Sequence, residues 1–399
     1  MRRYLLCYLF LIIIFVLGMI CVYQIPNSAL EPRFSKSKAQ IEKEELYPVY
    51  LFDTDAAIMD NFMDGIMINS CQVSDTYNSK IKAAFDNNGY PRYWNGYLLT
   101  LRPILTQFTY QQTRYISMFV LLIVFCFCFS GIQQRLSSAA AFGFAVSIIA
   151  CFLVFVGESL QYFSVFMILF ITLSIILYVP YFQIPSNSAL LLFAAGMITN
   201  FFDMLTAPLL TLGVPLVVLL GVWNRNNIPN TLLSRIKQIL SHSFSWGLGY
   251  ALCWISKWAL GSMVLGINVF EDAIKTANFR VNGSDEIPLD RISMFRLNFD
   301  TYFFAKGHKP AVLLLAVLLV LIVLLVFNHK KDWKTAFVSY FLVAAFPYAW
   351  YLVFANHSQL HYFYTYRIQA ITLFALIALL SDAIDWKNIK KSRGLFCNA

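Results

Sequence analysis

Two aspartates stand two apart in Phe52-Asp53-Thr54-Asp55. Either carboxylate could act as a general base on an acceptor hydroxyl, and the pair could hold a divalent cation. The spacing serves both uses, because a looped backbone can aim two such side chains the same way. Asp60 and Asp64 follow four apart, a spacing that shares one helix face. Far along the chain, residues 355–367 read Ala-Asn-His-Ser-Gln-Leu-His-Tyr-Phe-Tyr-Thr-Tyr-Arg. His357 and His361 are also four apart, and Arg367 lies about one and a half turns beyond them. Two histidines suggest zinc, but no H-E-x-x-H run and no third ligand accompanies them, so no metal ligand is assigned. The other chemistry is anion binding. Arg367 and Lys257 would supply charge to a phosphate or diphosphate, and a histidine would supply hydrogen bonds. Arg92 and Arg102 flank Tyr93-Trp94-Asn95-Gly96-Tyr97 and could bind phosphate too, or simply snorkel. Cations beside a carboxylate could stabilise a leaving diphosphate while the carboxylate activates an acceptor.

The elements that must position these groups are membrane helices. The chain has 399 residues, 59% hydrophobic and only 13% charged, with a mean hydropathy of +0.63. Soluble domains carry about 25% charged residues, so the composition excludes an ordinary soluble enzyme, a disordered chain and a nucleic-acid binder. The apolar runs are continuous rather than alternating, which excludes a closed barrel. They predict an all-α polytopic protein, one membrane domain over 1–399, with about ten spans of about 20 residues each. These are 4–23, 115–130, 137–157, 161–179, 189–204, 206–222, 242–263, 309–327, 334–354 and 363–381. The pair 189–204 and 206–222 also reads as a broken or re-entrant helix around Asp203.

Charge sets the orientation. The net charge of +9 is unevenly spread. An N-terminus inside gathers Arg2, Arg3, Arg135, Arg225, Arg235, Lys237, Lys330, Lys331 and Lys334 on one side, with Lys387, Lys390, Lys391 and Arg393. Only Asp332, Asp382 and Asp385 join them there. This positive-inside bias puts both termini in the cytoplasm, of a plasma membrane if the cell is bacterial. Two extracytoplasmic segments, 24–114 and 264–308, are then too long to be turns. The first contains Asp53 to Asp64. Thr54 or Asp55 would cap an interfacial helix from about Ala56, with Ile58, Met59, Phe62, Met63 and Ile66 as its apolar stripe and Asp60 and Asp64 on another face. His357, His361, Lys257 and Arg367 fall near the same side. No G-x-x-x-x-G-K-[ST] run exists for a cytosolic ATPase.

The whole plan, with Phe52-Asp53-Thr54-Asp55 at the start of an interfacial helix, resembles the GT-C class of integral membrane glycosyltransferases. That resemblance implies an acidic base in the first outer loop, here Asp53 or Asp55. It implies a polyprenyl-phosphate-linked sugar as donor and a glycan or lipid as acceptor. Arg92, Arg102, Lys257, His357, His361 and Arg367 would lie around the substrates. Two other classes fit the residues. A transporter or flippase for lipid-linked substrates would use polar groups such as Asn200 and Asp203, beside Pro208 and Pro215. An acyltransferase would use His357 or His361 as its base.

Overall fold

The computed structural model describes residues 2–50, 54–74, 77–226, 228, 231–303, 318–319, 321–322, 326 and 329–385. Among these the chain is helical throughout, with two isolated bridges and no strand. Six helices are long and apolar enough to cross a membrane: Arg2–Val22, Tyr110–Arg135, Leu160–Tyr178, Leu232–Leu265, Trp333–Val353 and Tyr362–Ala383. The protein is therefore an all-α, multi-pass membrane protein. The Leu-rich run of 309–327 lies largely outside the described residues, as do Asp53 and the basic residues 387–393.

In chain order the helices are α1 (Arg2–Val22), α2 (Asn27–Ile41), α3 (Asn61–Asn69), α4 (Lys80–Asp86), α5 (Leu98–Leu105) and α6 (Tyr110–Arg135). Then come α7 (Ser138–Ile149), α8 (Leu153–Glu158), α9 (Leu160–Tyr178), α10 (Pro185–Phe202), α11 (Leu210–Arg225) and α12 (Leu232–Leu265). Helices α13 (Val269–Asn282) and α14 (Arg291–Tyr302) occupy the second long segment.

Two predicted spans are interrupted. The run 137–157 breaks at Phe152, whose φ of 54° no helix can continue. Its ring stacks on Phe155, with centroids 5.4 Å apart, which holds the bend. The run 334–354 breaks at Ala345 because Pro347 has no N–H and its ring crowds the carbonyl four residues back. The ambiguous 189–222 region is two helices rather than one broken one. Thr199 and Thr211 share a hydrogen bond of 2.9 Å across the turn. At the other end of the same hairpin, Trp223 Nε1 donates to the Gln183 carbonyl at 2.7 Å.

Helix ends collect at two poles. At the basic pole Arg3 donates to Tyr181 and Asn187, Ser137 bonds Ser381, and Asn224 donates to Asp382. At the opposite pole the first long segment is folded onto the bundle. Leu30, Phe34, Met67, Phe85 and Trp94 join Phe15 of α1 and Phe201 of α10 in one buried cluster. The predicted interfacial helix starts later than expected. Asp55–Ala57 is a 3-10 turn, and α3 begins at Asn61, where Asp60 Oδ1 accepts the Met63 N–H at 3.0 Å. Asp64 is not on a solvated face. It is fully buried, because its carboxylate caps the start of α9.

Helices α10 and α12 approach until their backbones touch. A Cβ on Gly196 would stand 2.2 Å from the Trp246 carbonyl oxygen, and one on Gly249 would stand 2.1 Å from that of Phe193. Small residues permit such contact between membrane helices. Gly247, on the same helix, faces open space. Gly196→Ala and Gly249→Ala should each destabilise the protein by about 1–3 kcal/mol through overpacking. Gly247→Ala should not. Thermal unfolding of the three variants in detergent checks the contrast; equal behaviour of Gly247→Ala and Gly249→Ala would refute the contact.

Candidate functional site

The site is built from the turn that ends α10. Asp203 accepts the Thr206 N–H at 3.1 and 3.2 Å and also the Thr206 hydroxyl. Such an Asx turn holds Leu205 at φ 69°, a left-handed conformation that costs a non-glycine residue on the order of 1–3 kcal/mol. The strained residue aims its carbonyl at His357, whose Nε2 donates to it at 2.8 Å. A carbonyl can only accept, so the proton sits on Nε2. Nδ1 is thereby an acceptor, and Arg280 donates to it at 2.9 Å. Burial drives the His357 pKa well down, and the charge of Arg280 adds to the effect, as does His361. His361 lies with its ring 4.8 Å from that of His357 and stacks on Tyr364 at 5.0 Å. Burial, then Arg280, pushes its pKa down to about 4. Both histidines are neutral at pH 7. Because both nitrogens of His357 are engaged, it is not poised to ligate zinc.

Arg280 faces a groove of about 470 Å³ at the pole opposite Arg2 and Arg3. Arg92, Lys275, Asp272 and His361 also line it. Three cations therefore face one carboxylate, and Arg92 pairs with that carboxylate at 2.9 Å. The Arg92 guanidinium stacks over Tyr90 at 4.3 Å. On its other side Arg92 joins Arg280 in bordering a niche walled by Tyr93, Trp254 and Trp258. Cationic and aromatic surfaces thus meet along one seam.

The acidic residues approach from the first long segment. Asp55 faces the Tyr362 phenol, next in sequence to His361. Tyr366 donates to the Ala56 carbonyl at 3.0 Å, and the Tyr47 ring meets Phe363 at 5.8 Å. The turn that carries Asp55 is thus held against 362–366. Asp60 lies deeper, only 5% exposed. Burial raises its pKa to about 6, against the Met63 N–H that lowers it, and the charge of Asp64 raises it further. The four-residue spacing with Asp64 predicts a helix face turned away from the apolar stripe; the fold instead makes Asp60 the buried N-cap of α3.

The remaining predicted cations are elsewhere. Arg102 is fully buried and donates to the carbonyls of Val22 (3.0 Å), Ile25 (2.6 Å) and Cys71. Lys257 is also buried, and its ammonium donates to the Phe85 carbonyl at 2.6 Å beneath Trp94. Both charges tie backbone segments together and neither lines the groove. Arg367 is not in the groove either. Its Nε donates to Cys151 at 3.1 Å and its guanidinium lies 4.1 Å over Tyr162. One guanidinium nitrogen remains buried without a partner, as does the Tyr162 hydroxyl. Arg280 and Lys275, in the amphipathic α13, were not singled out by sequence. No group of three or more metal-ligating side chains occurs among the described residues. No protein-family model, curated protein or solved structure matches this chain.

Asp60 gives a pH prediction. Its pKa in the fold is about 6, above the value of about 3.9 for an exposed aspartate. The fold therefore favours the protonated form, and stability falls as pH rises from about 4 through about 6. The loss totals on the order of 3 kcal/mol, at about 1.4 kcal/mol per pKa unit. Asp60→Asn should flatten that part of the stability–pH curve. Chemical denaturation in detergent between pH 4 and 8 measures it, and an unchanged slope in the variant would rule out Asp60 as the titrating group.

Proposed function

We propose that the protein is a membrane glycosyltransferase that moves a sugar from a polyprenyl-phosphate donor to a glycan or lipid acceptor. The reaction takes place at the pole opposite Arg2 and Arg3, which the positive-inside rule makes extracytoplasmic. One observation carries the reading. A groove with three cations and one carboxylate meets the faces of Trp254 and Trp258 at Arg92 and Arg280, and the Asp55 turn packs on Tyr362, the residue after His361 of the groove lining. A phosphate joined to an apolar chain needs the first two surfaces. An acceptor hydroxyl needs the third.

In this mechanism Asp55 takes the proton of the acceptor hydroxyl. The acceptor oxygen attacks the anomeric carbon, and the bond from that carbon to the phosphate oxygen breaks. Charge grows on the leaving phosphate, where Arg280 and Lys275 stabilise it. His361, neutral, offers a hydrogen bond without competing for the proton. Its low basicity argues against the acyltransferase alternative, which needs a histidine base near neutral pH. No residue in this scheme requires a metal.

A second reading, a transporter for a lipid-linked substrate, draws on Gln161 and Asn200. Both are buried in the bundle with neither amide atom partnered. Polar groups of that kind line substrate paths in membrane proteins.

Purified protein in lipid, given a panel of radiolabelled polyprenyl-phosphate sugars, tests the proposal. Asp55→Asn should lower kcat by a factor of about 100 or more while donor binding stays unchanged. Arg280→Gln should weaken donor binding about 10- to 100-fold, the value of a hydrogen bond to a charged group. No turnover across the panel, with donor binding indifferent to both changes, would move the assignment to transport.

A further inference from the structure

At the basic pole, far from the groove, α1, α10 and α12 enclose a second cavity. Its volume is about 700 Å³. Arg3 hydrogen-bonds Tyr181 at 2.8 Å and Asn187 at 3.0 Å, which seats the start of α1 against the start of α10. Tyr4 shares a hydrogen bond of 3.2 Å with Ser245 and meets the Phe193 ring edge-on, which seats α1 against α12 as well. The cavity is lined by residues near the starts of all three helices.

Its lining has two parts. Arg3 and Lys237 supply positive charge, and Ser186, Ser234 and Ser241 supply hydroxyls; among the described residues no carboxylate lines it. Gln238, Thr231 and His242 also belong to this polar part, with both His242 nitrogens engaged by Ser188 and the Gln238 carbonyl. The Gln238 Oε1 accepts from Arg235 at 3.0 Å, which leaves the amide NH₂ as the group available to the cavity. Arg235 itself is buried and points into the bundle toward Asn224 and Ile228. Leu190 and Leu233 form the apolar part. From Leu233 at the cavity edge, the same flank of α12 continues through Leu240 and Phe244, the three with 62%, 63% and 69% of their surfaces exposed, as a lipid-facing helix does.

We propose that this cavity binds an anionic phospholipid from the leaflet at the basic pole. The headgroup phosphate is held by Arg3, Lys237 and the serine hydroxyls. An acyl chain runs from there along Leu190 and Leu233 onto the exposed face of α12. The charge selects an anion, and the adjoining apolar wall selects one that carries a hydrocarbon chain. A zwitterionic lipid brings its own cation into a pocket that offers no acid to receive it. This site is independent of the glycosyltransfer reading, since it lies at the other pole and uses none of the same residues.

Native mass spectrometry of the full-length protein, with phosphatidylglycerol and phosphatidylcholine titrated in turn, tests it. Wild type should prefer phosphatidylglycerol at least tenfold, and inorganic phosphate should not displace the lipid. Lys237→Gln should cut the preference several-fold, and Arg3→Gln/Lys237→Gln should abolish it. Arg3 also braces α1, so Leu190→Trp, which fills the apolar wall, provides a second route: it should lower the affinity for phosphatidylglycerol with both cations in place. Lys330→Gln removes a cation at the same pole that does not line the cavity, and should change nothing. Equal affinity for the two lipids would overturn the proposal. So would an equal loss in Lys330→Gln and Lys237→Gln, which would mean diffuse surface charge, or competition by inorganic phosphate, which would mean a free-anion site.

Discussion

Asp64 is the point on which the arrangement of the pole opposite Arg2 and Arg3 depends. One oxygen accepts the Tyr110 hydroxyl at 2.8 Å and the Leu160 N–H at 3.0 Å. The other accepts the Gln161 N–H at 3.2 Å and the Ser159 hydroxyl at 3.3 Å. A single buried carboxylate thus joins α3, α6 and the start of α9. Burial raises its pKa, and the charge of Arg114 opposes that rise most strongly. Arg114 in turn donates to Glu44 at 2.9 Å, to Asn61 at 3.1 Å and to the Tyr110 hydroxyl. Removing one member of such a network leaves a buried charge without its partner, at a cost of about 3–5 kcal/mol. The network keeps the first long segment from drifting over the bundle. Because α3 is pinned at Asp64, the turn before it has one resting place, against Tyr362 and Tyr366.

The opposite wall of the site is set by a second chain of constraints. The Asx turn at Asp203 forces Leu205 into its strained conformation, and that conformation directs a carbonyl at His357. The carbonyl selects the Nε2–H tautomer, which leaves Nδ1 free to accept from Arg280. The guanidinium is thereby oriented by a neutral ring rather than by a carboxylate. An aspartate in the place of His357 would hold Arg280 as firmly but would cancel its charge. Orientation without neutralisation is what an anion-binding cation requires.

Reading the chain in advance succeeded where a long-range average decides the outcome. Runs of about 20 apolar residues identify spans whatever their neighbours are, and α1 and α9 fall close to their expected limits, while α6 extends past its expected span at both ends. Breaks inside a span are different. Pro347 marks one, but nothing in the local pattern distinguishes Phe152 from the phenylalanines around it. Polar residues were the least legible. Arg102 and Lys257 drew notice because they interrupt apolar stretches, and that is the reason they are unavailable: a cation in such a place must be satisfied by the fold itself, here by backbone carbonyls. Asp60 and Asp64 show the same four-residue spacing that a solvated face would show. Their burial depends on α6 and α9, whose contact with α3 no local pattern encodes.

The cations that do face a cavity at the pole opposite Arg2 and Arg3 lie in less conspicuous sequence. Lys275 and Arg280 belong to α13, a helix with Glu271 and Asp272 in its first turn and Arg280 in its last, an order that suits the helix dipole. Dipole and solvent could account for that pattern alone. Packing changes its meaning. Arg280 is turned to His357, which returns no charge, and Arg92 pairs with Asp272, the one carboxylate among the described residues that line the groove. The positive-inside bias works against cations at this pole. The surplus of cations in the groove lies beside a tryptophan wall, and that charge is what the proposed lipid-borne phosphate would meet.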